Sequence, residues 1–123
     1  MKNFESSEDY LERILMLKNK NGKVRSIDIV DDMNFSRASV SVAMKKLKEN
    51  NYIVFDEDGY IDLTNDGYKI ASSIYERHML IANLLMEIGV SSNQAFDDAC
   101  KIEHNLSQES FLALKSHYNN IKK

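Results

Sequence analysis

VRSIDIVDDMNFSRASVSVAMKKLKENNYIVF, residues 24–55, decides the fold. Ser26 is a good N-cap for a short helix in which Ile27, Val30 and Met33 fall on one face. Asn34-Phe35 interrupts that pattern. Ser36 then caps a second helix whose Val40, Ala43, Met44 and Leu47 point inward. Two helices joined by a turn of about three residues form a helix-turn-helix, whose second helix enters the DNA major groove. The stretch from Asn34 to Lys48 carries Arg37, Lys45, Lys46 and Lys48 and no acid, the local bias a polyanion surface needs. Such a run more often covers a solvated helix face, so the segment that follows carries the weight. Tyr52–Phe55 and Tyr60–Leu63 are β-rich and flank Asp58-Gly59, a hairpin signal. A hairpin directly behind a recognition helix is a wing.

Upstream, Tyr10, Leu11, Ile14, Leu15 and Leu17 recur at helical spacing and predict a first helix over Ser7–Lys20, with Ser6 available as its cap and Gly22 ending it. Thr64 can cap a long helix that runs to Ile88 before Gly89, lined by Ile70, Ile74, Ile81, Leu84, Leu85 and Ile88. About 24 helical residues span about 36 Å, more than a small domain needs, so this helix should find a partner, commonly a second copy of itself. Two shorter helices, Asn93–Asn105 and Gln108–Ile121 with Ser107 as cap, finish the chain. The expected fold is mainly α: a winged helix-turn-helix with a two-stranded wing over residues 1–64, then an all-helical domain over residues 65–123.

The whole chain has 123 residues and a net charge of −3, with 43% hydrophobic and 28% charged residues, the composition of a globular chain. No apolar run approaches the ~18 residues of a membrane span, and MKNFESSEDY lacks the apolar core of a signal peptide. A cytoplasmic location is expected. A single cysteine, Cys100, excludes an internal disulfide.

Cys100 lies in DDACKIEHNLS, residues 97–107, with Glu103 and His104 on the same helix face at i+3 and i+4. Thiolate, carboxylate and imidazole are donors that transition metals accept together. A lone cysteine is more often core, and one helical turn of donors is weak support. Asp9 and Glu12, one turn apart on the first helix, and His78 beside the long apolar stripe add further donors. Each also has a plainer reading: Asp9 in a capping box with Ser6, Glu12 in water, His78 at an interface.

The order EDYLERILML, winged helix-turn-helix, YERHMLIANLLMEIGV and DDACKIEHNLS resembles the diphtheria-toxin-repressor and manganese-transport-regulator family of metal-activated repressors, over about residues 7–107. The resemblance implies metal ligands at Asp9, Glu12, His78, Cys100, Glu103 and His104. Asp9 and Glu12 match the manganese branch, whereas Cys100 matches the iron branch. That branch's ancillary site would need ligands at Ala82 and Phe96, which have none to give. A thiolate biases a site toward Fe²⁺ over the harder Mn²⁺. The expected effector is therefore Fe²⁺, with Mn²⁺ second and Zn²⁺ or Co²⁺ able to bind in vitro. No additional C-terminal domain is expected.

By the same resemblance, the second domain dimerises, and each recognition helix reads half of a palindromic operator. Ser36, Arg37, Ala38, Ser39 and Val42 lie where base edges are reached; Lys45 and Lys46 are placed for phosphates. Val42 stands where the iron branch carries a polar residue, and the wing tip Asp56-Glu57-Asp58 is acidic, although wings approach phosphates. The implied function is a dimeric, metal-activated repressor of iron or manganese uptake genes, with double-stranded DNA as partner and with neither a membrane, a small-molecule substrate nor catalytic residues. Two alternatives stay open: a metal-independent winged-helix regulator with a decayed metal site, and a small metalloenzyme built on Cys100, Glu103 and His104.

Overall fold

A computed structural model describes residues 7–121; Ser6, the expected cap of the first helix, lies outside them. The chain divides into two compact units, the first ending at Ser73 and the second starting at Ile74. The elements are α1 (Ser7–Asn21), α2 (Ser26–Met33), α3 (Arg37–Glu49), β1 (Ile53–Phe55), β2 (Ile61–Leu63), α4 (Asn65–Glu87), α5 (Ser92–Ile102) and α6 (Gln108–Ile121). The boundary between units falls inside α4.

In the first unit, α1, α2 and α3 enclose a core of Leu11, Ile14, Val24, Ile29, Val40, Met44, Leu47, Ile53 and Ile61, all buried. α1 ends as expected: Gly22 takes a positive φ of 84° and its N–H donates to the Lys18 carbonyl. The α2 reading needs two corrections. Ser26 is the first helical residue rather than the cap, and the Asp28 carboxylate accepts the Arg25 N–H at 2.9 Å in its place. Ile29 is also the residue that α2 buries, while Ile27 is 38% exposed. The α2–α3 turn passes through Asn34 at φ 58°, a left-handed conformation that asparagine tolerates. Ser36 caps α3 by accepting the Ser39 N–H at 3.0 Å.

The wing pairs Ile53 with Leu63, Val54 with Asp62 and Phe55 with Ile61, antiparallel. Its tip is closed by Asp56, whose carboxylate accepts from the N–H groups of Asp58 and Tyr60, both at 2.9 Å. Gly59 supplies the positive φ the turn requires, 84°. The Val24 carbonyl accepts the Ile61 N–H, so the α1–α2 connection lines the wing. Lys23 and Arg25 from that connection lie 4.8 and 4.3 Å from the centre of the Tyr60 ring. Thr64 caps α4, accepting the Gly67 N–H and donating to the Asn51 carbonyl.

The second unit packs Ile81 and Ala82 of α4 against Ala95 and Ala99 of α5, with Leu85, Met86, Val90, Phe96 and Leu106 around them. Gly89 ends α4 at φ 106°. Ser91 caps α5, and α5 stops at Ile102, three residues earlier than the sequence predicts, because Glu103–Asn105 form turns. Ser107 caps α6, accepting the Ser110 N–H at 3.0 Å. Among the described residues, no helix is long and apolar enough to cross a membrane.

Candidate metal centre and nucleic-acid interface

His78 falls on the buried face of α4, four residues after Ile74 and three and four before Ile81 and Ala82. On α5, Ala95 and Ala99 set the buried face, and Glu103 continues it one turn further at 0% exposure. Cys100, partly buried, stands one turn before Glu103. This register brings His78, Cys100 and Glu103 together: one donor atom from each lies within 4.8 Å of the other two.

Glu103 is the hub. Its Oε2 lies 3.1 Å from His78 Nδ1 and its Oε1 lies 3.4 Å from His104 Nε2. Phe96 stacks on the His78 imidazole, with centroids 5.7 Å apart and planes at 21°. The position that could have supplied an ancillary ligand instead packs one face of the ring, and Ala82 belongs to the apolar core. Burying a carboxylate is costly unless hydrogen bonds or a nearby positive charge offset its lost hydration, and a metal ion is one such charge. Metal–ligand bonds of about 2.0–2.3 Å place donors about 3–4.6 Å apart, and these three lie within 4.8 Å of one another. The donor set therefore fits a divalent transition metal.

Arg77, the residue before His78, was not singled out by the sequence. Its Nη1 donates to the carbonyls of Glu103 at 3.2 Å and Leu106 at 2.6 Å, and its Nη2 to Gln108 Oε1 at 2.7 Å. The Phe111 ring centre lies 5.0 Å from its Cζ. Adjacency to His78 was the only signal available, since an arginine on a long helix ordinarily faces water.

Asp9 and Glu12 belong to the first unit, one turn apart on α1, and both are buried, at 5% and 3% exposure. Solvation of Glu12, its plain reading, does not apply. Also in the first unit, α3 exposes Arg37, Ala38, Val42, Lys45 and Lys46. Val42 is 65% exposed, an apolar β-branched side chain turned outward from the middle of the helix. The Ser36 hydroxyl is engaged by the cap and by Ser39 Oγ at 3.0 Å.

Residues 3–67 match the family described as "Iron dependent repressor, N-terminal DNA binding domain", and residues 64–123 match "Iron dependent repressor, metal binding and dimerisation domain". The HTH-type transcriptional regulator MntR of Bacillus pumilus strain SAFR-032 is 35% identical over 105 residues, covering 85% of this chain and 73% of the relative. The protein of the same name from Listeria welshimeri serovar 6b is 34% identical over 105 residues, covering 85% and 74%. Among solved structures, that of the manganese regulator SloR aligns with a TM-score of 0.80 at 30% identity, over 93% of this chain and 54% of SloR. The chain thus spans about half the length of that structure. These relatives are regulators, not enzymes, which removes the metalloenzyme alternative. The chain belongs to the iron-dependent repressor family, the group of metal-responsive regulators that its sequence resembles.

Proposed function

We propose that the protein is a metal-activated, dimeric transcriptional repressor that binds palindromic operator DNA in the cytoplasm and controls iron or manganese uptake genes. The observation that carries this reading is the cluster of buried His78 and Glu103 with partly buried Cys100, their donor atoms within 4.8 Å of one another. In a chain that also carries a winged helix-turn-helix, that cluster is a sensor.

We assign residues 1–64 to DNA reading and residues 65–123 to dimerisation and metal binding. His78, Cys100 and Glu103 form the core of the donor set; Asp9, Glu12 and His104 complete it, an assignment supported by the family resemblance and by the burial of both α1 carboxylates. An ion bound here would be held by carboxylate, thiolate and imidazole donors together. Asp9 and Glu12 stand on the first helix of the reading unit, so ligation links metal occupancy to the DNA-competent state. The gain in operator affinity equals the difference in metal affinity between that state and the others.

Cys100 favours Fe²⁺ as effector, since thiolate ligands select against hard Mn²⁺. Mn²⁺ comes second, and the manganese regulator SloR among the relatives speaks for it. Dimerisation is supported by Ile88, Leu112 and Ile121 in the second unit, exposed by 78%, 51% and 48%. On α3, Ser36, Arg37, Ala38, Ser39 and Val42 are assigned to base edges and Lys45 and Lys46 to phosphates.

The test is anaerobic selection from random-sequence duplexes with Fe²⁺, with Mn²⁺ and with chelator. Recovery of a two-fold symmetric sequence only with metal is the expected result, and the more effective ion names the effector. Recovery of the same sequence at equal affinity with chelator would establish the metal-independent alternative. No enrichment under any condition would overturn DNA reading altogether.

A further inference from the structure

Arg77 and His78 are neighbours on α4, so their side chains leave the helix about 100° apart. His78 turns to the donor cluster and Arg77 to the joint between α5 and α6. Glu103 lies at the end of α5, where the last carbonyls have no partner within the helix. Arg77 supplies one to the Glu103 carbonyl at 3.2 Å and reaches the Leu106 carbonyl at 2.6 Å, while its other arm holds Gln108 at 2.7 Å. The guanidinium is half-buried and seated against Phe111, itself only 4% exposed. One rigid fork therefore grips the main chain of the residue whose two carboxylate oxygens face both His78 and His104.

We propose that Arg77 is a positioning residue of the metal centre: without touching the ion, it fixes the α5–α6 joint so that Glu103 and His104 present their donors to the site that His78 faces. This inference rests on the metal-sensor reading. Groups that orient metal ligands from outside the coordination sphere typically change metal affinity by about 10–100-fold. Lysine cannot replace arginine in this role, because a single ammonium cannot span two carbonyls and an amide in a fixed fork.

The test titrates the full chain with Co²⁺ under anaerobic conditions, following the thiolate charge-transfer band and the ligand-field bands, with affinities set by chelator competition. Arg77→Lys is expected to weaken Co²⁺ binding by about 10–100-fold and to change the ligand-field bands while the thiolate band persists. Gln108→Ala removes one arm at an exposed residue and should weaken binding by about three- to tenfold. This second variant keeps the test decisive if Arg77→Lys destabilises the second unit. A purely structural role would lower the melting temperature and leave the affinity and spectrum of the folded fraction unchanged. Variants that match the wild type within about twofold, with identical spectra, would overturn the proposal. A wild-type chain that binds no Co²⁺ would instead overturn the sensor reading on which it rests.

Discussion

Replacing Gly67 with alanine should destabilise the first unit, although glycine to alanine within a helix ordinarily stabilises by up to about 1 kcal/mol. A Cβ at this position would stand 2.0 Å from the Tyr52 carbonyl oxygen and 2.9 Å from its carbon, both main-chain atoms. Relief requires a backbone shift of about 1 Å, since non-bonded carbon–oxygen contacts closer than about 3 Å are strongly repulsive. Neither partner moves alone. The same Tyr52 oxygen accepts the Thr64 N–H at 3.0 Å, and Thr64 Oγ1 ties α4 to the Asn51 carbonyl at 2.7 Å. Overpacking costs about 1–3 kcal/mol and a lost hydrogen bond about 1 kcal/mol, against about 1 kcal/mol gained in helix propensity. The net is about 2 kcal/mol of destabilisation, a fall of about 10 °C in melting temperature for a unit of this size. Thermal unfolding by circular dichroism measures it, with hydrogen exchange at Tyr52 and Thr64 assigning the loss to the α3–wing–α4 junction. A variant as stable as the wild type, or more stable, would refute the close approach of α4 to Tyr52.

Three further outcomes follow from the sites described. Glu103→Gln keeps the shape of the hub and removes its charge; metal affinity measured by anaerobic calorimetry should fall by about 100-fold or more, as a charge-assisted contact becomes neutral. Ser36→Ala removes the α3 cap and should cost about 1 kcal/mol in urea unfolding, whereas a change below about 0.3 kcal/mol would show that the cap hydrogen bond contributes nothing. Lys46→Ala should weaken operator binding uniformly across sequences and reduce the slope of log affinity against log salt by about one; a changed sequence preference would mean that Lys46 reads bases.

The helix-turn-helix was legible because its punctuation is local. Ser36 caps α3, Asn34 turns left-handed, Gly59 closes the wing and Thr64 starts α4, each through atoms within a few residues. Readings that depended on tertiary partners fared less well. Ile27, Val30 and Met33 share a helical face, yet the core takes Ile29, which sits between them in sequence. Sequence periodicity finds an apolar face but not its centre in a helix of only eight residues. For the candidate site, spacing proposed Cys100 and Glu103 together, and the α5 register brings both to His78. Arg77 escaped notice because its partners are main-chain carbonyls and a glutamine about thirty positions away, none of which leaves a pattern in the sequence.

The alanines of the second unit reach further than their size. Ala82, Ala95 and Ala99 are all fully buried where α4 meets α5. Each brings a single methyl group to that contact, with His78 on one helix and Cys100 and Glu103 toward the end of the other. With the ligands proposed above, the spacing of the donors would depend on residues that never touch the ion. Enlarging any one of them, Ala99→Val for instance, would widen the gauge before changing a single ligand. On the function proposed above, the fit of an ion would then depend on hydrocarbon volume as well as on donor chemistry.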